Sequence, residues 1–178
     1  MAPEYPLLGL IISQPSHGYR LHQRLQQELG ELWRISMSQA YNILKRLEEQ
    51  GYVKGSDQPQ ETAPDRYNLQ ATEAGRAHFR RWLLDPSGLA TQALRVEFLT
   101  RLYFARRESD ELTAQVIHGQ IEAIGEGLKQ LRKRQDVSCQ SSPVNEWALQ
   151  LRIRQLESFL DWLEQMDLRL IGPHPTEG

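Results

Sequence analysis

Between Ser36 and Lys45 the chain sets Ser36, Ser38, Gln39, Tyr41, Asn42 and Lys45 close together. Short hydroxyl and amide side chains of this kind hydrogen-bond the edges of bases in a duplex groove. The free N–H groups at a helix start suit a phosphate oxygen. Tyr41 adds a hydroxyl for the nucleic-acid backbone, and Lys45, about one turn on, adds a charge for a phosphate. Lys54 and Arg66 bring positive charge to a later hairpin. Each residue also has an ordinary reading. Ser36 and Gln39 suit a helix cap, Tyr41 a half-buried core position, and Lys45 with Arg46 a solvated face balanced by Glu48 and Glu49. What favours a duplex-binding surface is the sum of them on one helix face.

Catalytic and metal chemistry find no such support. The histidines His17, His22, His78, His118 and His174 lack a spacing such as H-E-x-x-H, and no G-x-S-x-G or phosphate-cradling glycine loop occurs. His17 and His22 stand five apart, which puts them on different faces of a helix. Cys139 is the only cysteine, so an intrachain disulfide or a multi-cysteine metal site is impossible. No enzyme activity, cofactor or metal is expected.

The elements that must position these residues are legible from pattern. The chain has 178 residues, 39% hydrophobic and 25% charged, enough for one domain or two small ones. Its net charge of −2 offers no global attraction for nucleic acid, so any such surface is local. The longest apolar run, Leu7 to Ile12, is far short of the roughly 20 residues that cross a bilayer. Met1-Ala2-Pro3-Glu4 places an acid where a secretory signal needs positive charge. The sequence thus reads as cytoplasmic, with no membrane partner.

Tyr5 to Gln14 reads as an apolar helix with Pro6 at its start and Pro15 at its end. Ser16 is the expected cap of a second helix to Leu29, with Tyr19, Leu21, Leu25 and Leu29 mostly on one face and Gly30 as its stop. Ser36 and Gln39 form a capping-box pair opening a third helix that ends before Gly51, and Ala40, Ile43, Leu44 and Leu47 face the core. Tyr52–Ser56 and Asp65–Gln70 are strands of a hairpin whose tip holds Pro59 and Pro64. Thr72 caps a helix to Leu84, with His78, Phe79, Trp82 and Leu83 partly inward and Gly75 weakening its first turn. Asp85 to Thr91 is the natural boundary.

The second half reads as helices from about Leu94 to Arg106, Ser109 to Arg134 and Val144 to Ile171. Ile117, Ile121, Ile124, Leu128 and Leu131 form one heptad-like seam. Leu149, Ile153, Leu156, Leu160, Leu163 and Leu170 form another, broken by Asp167. Such seams suit either antiparallel packing within a subunit or pairing between subunits. Leu149, Ile153, Leu156, Leu160 and Leu163 are the candidate dimer-interface residues.

Helix, tight connection, helix and hairpin in this order is the layout of a winged helix-turn-helix, whose second helix enters the major groove. The expected fold is mainly α with a small β-hairpin wing: a winged helix-turn-helix domain over 1–85, followed by an α-helical dimerisation domain over 86–178. From Tyr5 to Gly75 the chain resembles the PadR family. The likeness is carried by Tyr5-Pro6-Leu7-Leu8-Gly9-Leu10-Ile11, His17-Gly18-Tyr19, the run Ser36, Tyr41, Leu44, Leu47, Glu48, Gly51, Tyr52, Val53, and Thr72-Glu73-Ala74-Gly75. Glu97-Phe98-Leu99-x-Arg101-Leu102-Tyr103-Phe104 and Trp162-Leu163 are similar to the family's longer C-terminal domain.

The chain departs from the family at Ser38-Gln39, where a glycine is usual. It departs again at Tyr67-Asn68-Leu69-Gln70-Ala71-Thr72, which either carries two extra residues or puts Leu69 at the wing's tyrosine position. The resemblance implies a homodimer on a roughly palindromic operator in double-stranded DNA. It also implies repression as the usual effect, and a phenolic or aromatic effector in some members. The competing reading is a winged helix that binds only protein.

Overall fold

Leu7, Leu8, Leu10 and Ile11 make α1 (Glu4–Ser13) apolar on nearly every side, and all four are fully buried. A helix of this kind belongs inside a core, and α1 packs against two helices and a strand that follow it. The structure is a computed structural model and describes residues 3–58, 66–137 and 142–171. The hairpin tip with Pro59 and Pro64, together with Cys139, Ser141 and His174, lies outside the described residues. The backbone divides into two compact units, Met1–Leu83 and Leu84–Gly178.

In the first unit α2 (Gly18–Leu29) buries Leu21, Leu25 and Leu29, while Tyr19 lies exposed rather than on the core face. The cap is His17 rather than Ser16, with Arg20 N donating to His17 Nδ1 at 3.4 Å. Ser16 is buried and bridged to the hairpin, its carbonyl accepting Leu69 N at 3.1 Å, which displaces the cap by one residue. Helix α3 (Met37–Glu49) has Ser36 as N-cap and buries Ala40, Ile43, Leu44 and Leu47, as its periodicity predicts. Gly51 follows with φ of 74°, a left-handed conformation natural to glycine that turns the chain into the hairpin.

Strands β1 (Val53–Gln58) and β2 (Arg66–Ala71) are antiparallel, with Val53 opposite Ala71 and Gly55 opposite Leu69. Val53 and Leu69 are buried, so the inward face of the hairpin is set by these two apolar residues. In α4 (Glu73–Leu84) Phe79, Trp82 and Leu83 are buried and His78 is half-buried. Thr72 caps this helix, its Oγ1 accepting Gly75 N at 3.1 Å and donating to Gly51 O at 2.7 Å. Gly75 has a packing reason: a Cβ there would lie 2.1 Å from Tyr52 O.

The second unit contains α5 (Thr91–Ala93), a π-helical turn (Leu94–Phe98), α6 (Leu99–Glu108), α7 (Asp110–Val137) and α8 (Pro143–Ile171). The segment before α5 is fastened to these helices. Ser87 N donates to Gln120 Oε1 at 2.8 Å, Gln120 Nε2 donates to Ser87 O at 3.3 Å, and the buried Arg101 donates to Ser87 Oγ. Helices α7 and α8 pack on each other, burying Ile117, Ile124, Leu128 and Leu131 of one and Ile153, Leu156 and Leu163 of the other, with Ile121 half-buried. The second seam is thus consumed within the chain, with Leu149 and Leu160 half-buried at its margins. The side chains of Asp167 and Leu170 lie outside the described ones. Among the described residues, no helix is long and apolar enough to cross a membrane.

Candidate nucleic-acid interface

The start of α3 is built before any partner arrives. Ser36 N donates to Gln39 Oε1 at 2.8 Å, and Gln39 N donates to Ser36 Oγ at 3.2 Å. Each side chain satisfies a backbone N–H that a helix start leaves open, an arrangement worth about 1 kcal/mol. The chain leading into Ser36 is held from α2: His22 Nε2 lies 2.9 Å from Ile35 O, and Gln26 Nε2 donates to the same oxygen at 3.3 Å. A carbonyl oxygen only accepts, so His22 carries its proton on Nε2 in this contact. Trp33, buried, anchors the connection, with its backbone N donating to Leu29 O at 2.9 Å.

Ser36, Ser38, Gln39, Tyr41, Asn42 and Lys45 are all exposed on α3. The cap engages the Gln39 carbonyl oxygen, which leaves its amide N–H groups pointing outward as donors. Asn42 has no hydrogen-bond partner among the described residues and keeps both a donor and an acceptor. Tyr41 is half-exposed because its ring lies over Gly18: a Cβ at Gly18 would come within 2.7 Å of Tyr41 Cε1. The His17-Gly18-Tyr19 run therefore lets α2 approach α3 closely and fixes where the Tyr41 hydroxyl sits. Lys45 Nζ lies 3.8 Å from Glu49 Oε1 with both side chains largely in water, a pairing too weak to withhold the lysine from a phosphate. Arg46 is engaged elsewhere, on Glu4 at 2.7 Å.

The hairpin is tied to α3 through Glu48. Its Oε1 accepts Gly55 N at 3.0 Å and also the Tyr67 hydroxyl. Glu48 is thus a strut between α3 and the hairpin rather than a counter-charge for Lys45 and Arg46. A Cβ at Gly55 would strike the Tyr67 ring at 1.9 Å, so glycine is required where the two meet. Lys54 is exposed on β1, one position from the buried Val53 and facing the other way. Arg66 opens β2 opposite Gln58, and its side chain lies outside the described ones. His17, Gly18, Tyr41, Leu44, Lys45, Glu48, Tyr67 and Leu69 together line a hollow of about 380 Å³ between helix and hairpin.

Nothing in local sequence pattern marks His22, and the resemblance that includes Glu48 does not say what it holds. Their partners, Ile35 O and the wing, come near only after the chain has folded back. Of the candidate dimer residues, Ile153, Leu156 and Leu163 are buried within the chain's own second unit, and Leu149 and Leu160 are half-buried there.

Comparison with known proteins places residues 7–81 in a match to the family described as "Transcriptional regulator PadR-like family". The chain is 26% identical over 113 residues to "Negative transcriptional regulator PadR" of Bacillus subtilis (strain 168), covering 61% of this chain and 62% of that protein. It is 29% identical over 86 residues to "Probable transcriptional regulator Rv1176c" of Mycobacterium tuberculosis (strain ATCC 25618 / H37Rv), covering 48% and 46%. The chain thus spans less than two thirds of the length of these curated relatives. Among solved structures, Bacillus subtilis PadR in complex with operator DNA is similar at 22% identity and a TM-score of 0.46, covering 94% of this chain and 98% of that one.

Proposed function

We propose that this chain, whose residues 7–81 match the family described as "Transcriptional regulator PadR-like family", is a sequence-specific DNA-binding regulator that inserts α3 into the major groove. The observation that carries the reading is the exposed face of α3: Ser38, Gln39 and Asn42 offer hydrogen bonds, and Lys45 offers charge, beside a hairpin that Glu48 holds in place. Asn42 and Gln39 read base edges, while Ser36, Tyr41, Lys45, Lys54 and Arg66 serve the phosphate backbone. The protein acts as a homodimer, whose two-fold symmetry calls for half-sites about 34 Å apart on a roughly palindromic operator. Its effect is repression, in keeping with the name of the Bacillus subtilis relative as a negative regulator.

A phenolic or other aromatic effector belongs to this reading. What supports it is a largely apolar hollow of about 310 Å³ in the second unit, where Leu94, Leu99, Phe159 and Trp162 stand with Arg95 and Arg152. Apolar walls with a few cationic groups suit an aromatic acid. Such a ligand changes operator affinity only by binding one conformation of the dimer better than another.

The test is selection of bound fragments from a random-sequence duplex pool. The expected result is a two-fold symmetric sequence whose binding falls steeply between about 50 and 200 mM salt. Absence of enrichment, or binding indifferent to salt, contradicts the proposal and favours a protein partner.

A further inference from the structure

Proline apart, glycine is the residue least suited to a helix interior, yet Gly127 stands well inside α7 (Asp110–Val137). Its neighbour explains it. A Cβ on Gly127 would lie 2.1 Å from Leu89 Cδ1 and 3.5 Å from Leu89 Cγ, so the leucine rests in the notch that the missing side chain leaves. Ala123 and Gly119 precede Gly127 by about one and two turns on the same face of the helix, and a Cβ on Gly119 would stand 3.9 Å from Pro86 Cγ. Residues 86–91 thus run along a face of α7 made of small residues. Both ends of the run are fastened. Ser87 is clasped by Gln120 and by the buried Arg101, and Thr91 Oγ1 donates to Gln155 Oε1 of α8 at 3.3 Å. Between these anchors Leu89 is half-buried.

Leu89 has a second neighbour. It lines the hollow of about 310 Å³ together with Leu94, Leu99, Phe159 and Trp162, whereas Gly127 does not. The leucine therefore stands between the notch and the hollow. Its isobutyl group is the flexible end of the contact with Gly127, so a methyl added to the glycine would turn that group out of the notch and toward the open space on its other side. The room left for an occupant depends on a residue that does not touch it. We propose that residues 86–91 are a strap forming one adjustable wall of the aromatic-acid site, and that Gly127 is the positioning residue that sets the size of the site by letting Leu89 stand back. This rests on the effector reading given above and deepens it, since it names what decides which aromatic acids are admitted. An acid packed on Leu89 binds the clasped strap better than a released one and so holds the strap in place.

Calorimetric titration of the full chain with cinnamate and with the bulkier naphthoate tests it. The unaltered protein is expected to bind both. Gly127→Ala is expected to weaken naphthoate about tenfold or more and cinnamate less, because overpacking falls first on the larger acid, with the helical circular dichroism spectrum unchanged. Leu89→Ala removes the group that the new methyl displaces, so adding Gly127→Ala to it is expected to change neither affinity. Should Gly127→Ala fail to fold, Leu89→Ala alone still decides, since it widens the hollow and is expected to shift the preference toward naphthoate. Hydrogen exchange at the Ser87 amide is expected to slow when either acid is bound. Failure of both acids to bind the unaltered protein overturns the effector reading itself. Binding that Gly127→Ala leaves untouched, or weakens equally with and without Leu89, overturns the role of Gly127 while leaving that reading intact, as does a preference that Leu89→Ala does not move. Exchange at Ser87 indifferent to a bound acid overturns the strap.

Discussion

Asn42 and Gln39 are both amides on the same exposed turn of helix, yet the structure gives them different chemistry. Gln39 has its carbonyl oxygen in the cap, so under the proposed function it would meet a base chiefly as a donor. Asn42 can donate and accept at once, the pattern that matches adenine in the major groove. Asn42→Ala is therefore expected to cost about 1 to 3 kcal/mol at the selected operator and little on random duplex. Equal losses on both, in a fluorescence-anisotropy titration, would show that Asn42 reads no base. Lys45→Ala is expected to weaken both duplexes alike and to lower the salt slope by about one, because its target is a phosphate. A loss confined to one sequence would contradict that role. These side chains were legible in the sequence because hydroxyls, amides and a lysine at a helix start are informative by type and spacing. The division of labour between the two amides was not, since it depends on which atom the cap engages.

At the scale of elements, periodicity and caps located α1 to α4 to within a residue or two, because each buried stripe recurs at helical spacing and Ser36 and Thr72 sit where a helix start needs an acceptor. Ser16 misleads for the same reason. It has the chemistry of a cap, but a long-range bridge to Leu69 removes it from the helix. The wing register was ambiguous in sequence because Tyr67 and Leu69 share a face, and only burial of Leu69 against the helices decides between them. Two variants test the element contacts. Gly75→Ala gains about 1 kcal/mol of helix propensity, yet its Cβ would meet Tyr52 O at 2.1 Å. The contact outweighs the propensity, so the melting temperature is expected to fall; a rise would mean that the turn after α3 yields without cost. Glu48→Ala removes the acceptor of Gly55 N and the contact to the Tyr67 hydroxyl, and a loss of about 1 to 3 kcal/mol in denaturant unfolding is expected. Glu48→Gln keeps a carbonyl acceptor and should lose less. Equal losses for both would assign the effect to charge rather than to the strut.

For the molecule as a whole, composition hides the function. A net charge of −2 gives no hint of a nucleic-acid partner; under the proposed function the cations that would meet DNA are few and lie on one helix face and one hairpin. The heptad spacing of α8 was visible, but spacing alone does not say which of two stripes the chain covers with its own α7. Burial answers that: Ile153, Leu156 and Leu163 are buried within the chain itself, and Leu149 and Leu160 are half-buried beside them. The central claim, that α3 reads duplex DNA, is tested most directly by equilibrium binding of the full chain to its selected duplex and to a scrambled duplex of equal length across a range of salt. The account predicts that the selected duplex binds at least about a thousandfold more tightly and that both affinities fall steeply as salt rises. Equal affinity for the two duplexes, or affinity that salt leaves unchanged, would contradict it.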